Sequence, residues 1–215
     1  MDPYSFSTLL ASVSLAGSVA YVIARWKDNE PAAAIAKTTA STAFVALAFV
    51  SGATGSTYGV LIIAALIFSW VGDVLLLSLK SSFLLAGIGS FFIAHIIFAA
   101  AFTINDLNPR AFIVTLAATA VLGGFFLRWL WKYLRSFYRA AVPLYLVAIS
   151  IMVSLAIAAV FEAAPPSVAV GAVAFAVSDI SVARDRFVER SIANKAWGLP
   201  LYYLAQILFA ASVTR

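Results

Sequence analysis

Residues 68–98 read FSWVGDVLLLSLKSSFLLAGIGSFFIAHIIF. Two apolar runs meet at the short polar turn Lys80-Ser81-Ser82. One run carries a carboxylate, Asp73, and the other carries His95, the only histidine in the chain. About 20 apolar residues suffice to cross a bilayer as a helix. An ionisable group at that depth is costly, so it is read first as part of a functional site with a partner to be found. The stretch therefore predicts a membrane hairpin with a polar site built into it.

The pattern continues on both sides. The chain is 64% hydrophobic and 11% charged over 215 residues, with a mean hydropathy of +1.02. So few charges cannot cover the surface of a soluble domain this large, which makes the chain an all-α, polytopic integral membrane protein. Alternating strands of membrane-barrel length are absent, which argues against an outer-membrane barrel. Eight spans are expected, at about 5–25, 33–51, 57–79, 82–104, 109–131, 139–161, 166–184 and 197–213, forming one transmembrane domain over residues 1–215. Turn-forming or charged segments separate them: RWKDNEP (25–31), SGATGST (51–57), NDLNPR (105–110), AAPPS (163–167) and ARDRFVERSIANK (183–195). With no cysteine, disulfides and thiolate metal sites are excluded. The start, MDPYSFSTLL, lacks a basic leader region, so a cleavable signal peptide is not expected.

Charge orients the spans. With the first loop on the cytoplasmic side, that side holds Arg25, Lys27, Lys37, Lys80, Arg128, Lys132, Arg135, Arg139, Arg184, Arg186, Arg190 and Lys195, against Arg110 and Arg215 opposite. This bias puts both termini on the non-cytoplasmic side of a cell (inner) membrane. The segment RWLWKYLRSFYR (128–139) interleaves aromatic rings with cations. Joining two spans, it reads as a headgroup anchor and not as a nucleic-acid surface.

A second copy of the opening pattern lies near the end of the chain. FAVSD (175–179) matches FSWVGD (68–73), and YYLAQ (202–206) matches FFIAH (91–95). The matched helices lie four spans apart and share a membrane orientation, which suggests two parallel four-helix halves with a site between them. Counting from Lys80, Asp73 sits roughly 10 Å from the cytoplasmic boundary, and Asp179 sits at a similar depth before Arg184. His95 is roughly 20 Å in and Gln206 roughly 14 Å in by the same rise. The count makes Asp179 the partner of Asp73 and gives His95 a supporting role.

Two carboxylates at one depth suit acid–base chemistry, because close together in a low-dielectric site they do not both ionise readily. Asp73 and Asp179 are therefore the candidate catalytic pair. Ser69 shares a helix face with Asp73, and Ser178 offers Asp179 a local partner. Tyr145, Tyr202, Tyr203 and Gln206 supply further donors at comparable depth. Lys80 could pair with Asp73 or extend to the headgroups, and the latter fits its position better. Lys37 could bind a lipid phosphate or end its helix. One histidine and two aspartates without ligand spacing do not suggest zinc, and no cofactor motif is present. The bland alternatives are hydrogen-bonded interhelix links for the aspartates and His95, and belt positions for the tyrosines. A proton-coupled transporter would use the same carboxylates. An aspartyl intramembrane protease is disfavoured by W-V-G-D at 70–73 in place of G-x-G-D.

SWVGDVLLL, LLAGIGSFFIAH, GAVAFAVSD and LYYLAQ, in this order over residues 69–206, resemble the YhhN-like membrane protein family. The resemblance implies an eight-helix membrane fold. Its lysoplasmalogenase members imply hydrolysis of the vinyl ether bond of a lysophospholipid-type substrate, giving a fatty aldehyde and a glycerophospho-alcohol. The residues matching the family pattern are Lys37, Ser69, Asp73, His95, Tyr145, Ser178, Asp179, Tyr203 and Gln206. The family usually has a tyrosine shortly after the histidine, where this chain has Phe98. Vinyl ether hydrolysis needs an acid and a group that holds water, which the two aspartates would provide.

Overall fold

A computed structural model of the chain describes residues 3–78, 80–135 and 137–213; Arg215 and Leu79, used above in the charge count and as a span end, lie outside them. Among the described residues there are eight α-helices and no strands: α1 (Pro3–Trp26), α2 (Glu30–Val50), α3 (Thr57–Leu75), α4 (Ser81–Phe102), α5 (Pro109–Leu130), α6 (Tyr138–Val160), α7 (Pro166–Ala183) and α8 (Ile192–Ala211). The helix starts are written locally. Asn29, Ser56, Asn108 and Ser191 accept backbone N–H bonds at the heads of α2, α3, α5 and α8. Prolines occupy the first turns of α2, α5 and α7, where a missing N–H costs nothing.

Seven helices, α1 to α7, are long and apolar enough to cross a membrane. The eighth expected span falls on α8, which does not meet that standard. The reason lies in its position: α8 packs against α1, α2, α3 and α7. An interior helix can carry Asn194, Lys195, Tyr202, Tyr203 and Gln206 where a lipid-facing one could not. The outer faces do the reverse. Ile113, Val121, Leu122 and Phe125 of α5, and Leu144 and Val147 of α6, are exposed apolar side chains, as a hydrocarbon solvent requires.

The helices pack as sequential hairpins, α1–α2, α3–α4, α5–α6 and α7–α8, with α5 lying chiefly on α6. An aromatic cluster of Phe44, Phe91, Phe98, Phe175, Tyr202, Tyr203 and Phe209 ties α2, α4, α7 and α8 together. Close approach needs small residues here. A Cβ on Gly72 would stand 2.6 Å from the Phe91 ring, so α3 and α4 meet there only through glycine.

Two boundaries differ from the sequence expectation. α3 ends at Leu75, and Arg186 Nη2 donates to the Leu76 carbonyl at 2.9 Å, satisfying one of the last carbonyls. Asp73 thus sits in the final turn of α3. The chain after α7 continues as a π turn, Arg184–Val188, so the expected long loop shrinks to a few residues before α8. The counts of depth above began at Lys80 and Arg184, which are not the ends of these helical runs.

Candidate active site

Asp73 and Asp179 both line one cavity of about 440 Å³, which is within the ~300–1,000 Å³ typical of small-molecule sites. The cavity has a polar end, near Tyr21, Lys37, Asp185, Arg186, Asn194 and Lys195. Its remainder runs between α5, α6 and α7 and is lined mainly by apolar residues such as Leu122, Phe126, Ile149, Val153 and Val177.

Asp73 is held from two helices, α2 and α8. Lys37 Nζ of α2 stands 3.0 Å from Oδ1, with side chains 6% and 3% exposed. Ser41 Oγ, one turn further along α2, donates to Oδ2 at 2.6 Å, and Tyr202 OH of α8 donates to the same oxygen at 2.7 Å. Ion pair and hydrogen bonds together satisfy a largely buried carboxylate at the cavity wall, which is what a buried charge requires. Lys37 is therefore the partner of Asp73. Lys80 is exposed at the head of α4, in line with the headgroup alternative.

Asp179 is held differently. Tyr145 OH of α6 donates to Oδ2 at 3.1 Å, and His95 Nε2 of α4 faces the same oxygen at 3.5 Å. The Asp179 side chain is 16% exposed while His95 is fully enclosed. His95 Nδ1 lies 2.6 Å from the Phe91 carbonyl, which can only accept, so Nδ1 carries a hydrogen. Nε2 is left facing the Asp179 carboxylate, buried and without a hydrogen bond of its own.

The difference in depth counted above between His95 and Asp179 is corrected by this contact. α7 runs on through its π turn, so Asp179 lies nine residues from the end of the helical run at Val188 and not five. Ser178 is not the local partner of Asp179 either: its hydroxyl donates to the Phe175 carbonyl at 2.7 Å. The pattern of partners crosses the two halves. Asp73 takes Lys37 and Ser41 from the helix before it and Tyr202 from α8; Asp179 takes Tyr145 from the helix before it and His95 from α4.

Of the residues singled out from sequence, Lys37, Asp73, Tyr145, Ser178 and Asp179 line the cavity. His95, Ser69, Tyr203 and Gln206 are fully buried behind it. Tyr203 bonds Ser41 at 3.1 Å and the Lys37 carbonyl at 3.3 Å, supporting the helix that carries both partners of Asp73. Its neighbour Tyr202 reaches the carboxylate instead. Ser69 Oγ, His95 Nε2 and both polar atoms of Gln206 have no hydrogen-bond partner among the described residues. Ser41 was missed; the available signal was its place one helical turn after Lys37, on the same face. Among the described residues, no cluster of three metal-ligating side chains occurs.

The comparisons with known proteins agree on one family. The YhhN family model matches residues 32–213. The chain is 27% identical over 157 residues to lysoplasmalogenase TMEM86A of Bos taurus, covering 70% of this chain and 64% of that protein. It is 32% identical over 161 residues to the lysoplasmalogenases of Mycobacterium bovis and Mycobacterium tuberculosis, covering 66% of this chain and 59% of each. The chain thus matches between 59% and 64% of the length of these curated relatives. No solved structure matches it.

Proposed function

Because this chain belongs to the YhhN family, we propose that it is a membrane-embedded hydrolase that cleaves the vinyl ether bond of a lysoplasmalogen to a fatty aldehyde and a glycerophospho-alcohol. One observation carries the reading. Two carboxylates, one facing a histidine and one paired with a lysine, line the same largely apolar cavity.

The roles follow from the partners. Asp179, backed by His95, delivers a proton to the β-carbon of the vinyl ether, leaving an oxocarbenium ion at the carbon bonded to oxygen. Water attacks that carbon and gives its proton to Asp73, forming a hemiacetal. The hemiacetal collapses when Asp73 returns the proton to the leaving glycerol oxygen and the Asp179–His95 pair takes the hydroxyl proton. Every proton is restored, and neither a nucleophilic serine nor a redox step is needed. Tyr145 fixes the Asp179 oxygen, while Ser41 and Tyr202 fix that of Asp73. Ser178 lies on the cavity wall, with Ser69, Tyr203 and Gln206 behind it.

The crossed partners support two parallel four-helix halves about an axis along the membrane normal, with α8 as the eighth span. The halves correspond helix by helix and not residue by residue, since Tyr202 on α8 and His95 on α4 occupy different turns of the matched motifs. Positive charge at the α1–α2, α3–α4, α5–α6 and α7–α8 turns puts that end of the bundle, and the site near it, on the cytoplasmic side of the cell membrane, with both termini opposite.

The test uses purified protein in detergent, where no second compartment exists. It is incubated with a lysoplasmalogen, an acyl lysophospholipid and a saturated ether analogue. Aldehyde release from the first alone, lost in Asp73→Asn and Asp179→Asn variants that remain folded, is the expected result. Wild-type rates in both variants would overturn the assignment of the aspartates, and no aldehyde from the wild type would overturn the activity.

A further inference from the structure

Resting on that reading of the cavity, we propose that Arg186 is the phosphate anchor of the site and selects lipids that carry a phosphate over neutral glycerol ethers. The polar end of the cavity holds three cations, and two are already paired. Lys37 is bound to Asp73 at 3.0 Å. Lys195 is bound to Asp185 Oδ1 at 2.6 Å, and the same oxygen accepts the Ser191 backbone N–H at 3.1 Å. Arg186 lines the same cavity, is partly buried, and makes no ion pair among the described residues. Its Nη2 donates to a neutral carbonyl, that of Leu76. A guanidinium presents five donors in a planar fork, so one carbonyl leaves most of the fork free for two oxygens of a phosphate.

Position agrees with the chemistry. Arg186 lies seven residues beyond Asp179 on a continuous helical run, roughly 10 Å along the axis. Helical side chains lean toward the N-terminus, which brings the fork back toward Asp179. In a lysoplasmalogen, five single bonds of about 1.5 Å separate the ether oxygen from phosphorus, an extended span of roughly 6 Å. A phosphate held by Arg186 therefore sets the vinyl ether near the level of the two carboxylates, with the chain running on between α5, α6 and α7. The bond to Leu76 also fixes Arg186 to the end of α3, three residues from Asp73. Asp185, already occupied by Lys195, is not free to meet the cationic part of a headgroup. Selection should act on the phosphate and tolerate different bases beyond it.

Binding tests this apart from catalysis. The full chain in detergent is titrated with two non-cleavable lipids, a 1-O-hexadecyl glycerophosphoethanolamine and 1-O-hexadecylglycerol. The wild type is expected to bind the phosphate-bearing lipid about 10- to 100-fold more tightly, the range for a charge-assisted bidentate contact. Arg186→Gln, which removes the charge and the fork but keeps an amide donor, should abolish that preference while leaving the neutral ether's affinity unchanged. Arg186→Lys should keep part of the preference and covers the case in which the glutamine variant does not fold. Arg184→Gln, at an exposed neighbour, should behave as the wild type. A preference that survives in Arg186→Gln, or equal weakening of both lipids, would overturn the proposal. So would inorganic phosphate competing as well as the lipid does, since the site would then recognise the free ion. Failure of aldehyde release would count against the hydrolase reading and leave this binding result standing on its own.

Discussion

Breaking the Lys37–Asp73 pair from each side, and then from both, tests the core of the site. The two side chains are 6% and 3% exposed and 3.0 Å apart, so solvent does little to screen them. Removing one member of such a pair costs about 3–5 kcal/mol, because the other charge is left buried. Lys37→Met leaves Asp73 with Ser41 and Tyr202, hydrogen bonds to a charged acceptor that are worth ~1.5–3 kcal/mol each. Its cost should fall near ~3 kcal/mol. Asp73→Asn leaves an ammonium with no carboxylate partner among the described residues, over the Tyr21 ring at 5.8 Å. That variant should approach ~5 kcal/mol. The double variant buries no charge and should lie within ~2 kcal/mol of wild type, a coupling of several kcal/mol. At about 2–4 °C per kcal/mol for a chain of this size, Lys37→Met should lower the unfolding midpoint by roughly 6–12 °C, with most of the loss recovered in the double variant. Thermal unfolding in micelles, followed by circular dichroism, reads this directly. If Asp73→Asn is silent, or the single effects simply add, Asp73 and Lys37 are not an ion pair and the account of the site is wrong.

Other variants separate catalysis from packing. His95→Phe keeps ring contacts with Phe175 and Tyr145 but removes both nitrogens; aldehyde release should fall about 10²- to 10⁴-fold in a folded protein. Tyr145→Phe removes the 3.1 Å bond to Asp179 and should slow turnover about 10-fold with little change in unfolding midpoint. Gly72→Ala forces the Phe91 ring aside and should destabilise by ~1–3 kcal/mol, with part of the loss recovered by Phe91→Leu in the same chain. Gly123 lines the cavity, and a Cβ there meets nothing nearer than Ser150 Oγ at 3.9 Å. Gly123→Phe should therefore raise KM for a long alkenyl chain and spare a short one; an unchanged long-chain KM would place the chain elsewhere.

The sequence by itself determined the class of molecule and most of the residues worth asking about. Apolar run length and the placement of Lys and Arg are local properties, and a bilayer converts them into helices and orientation without reference to tertiary detail. Asp73, Asp179 and His95 stood out for the same reason, since an ionisable group in an apolar run is costly wherever the helix packs. Pairing was another matter. Lys37 meets Asp73 from a different helix, and no periodicity within either helix relates them. Tyr202 and Tyr203 are adjacent and chemically identical, yet successive helical positions face about 100° apart. The rotation of α8 alone decides that Tyr202 reaches the carboxylate while Tyr203 braces Lys37 and Ser41 from behind. Likewise α3 stops at Leu75 and α7 runs on into its π turn, ends that local pattern did not mark, and His95 meets Asp179 only across the packed helices. Which proton-bearing group faces which carboxylate depends on helix ends and helix rotation, and those are fixed only when all the helices pack at once.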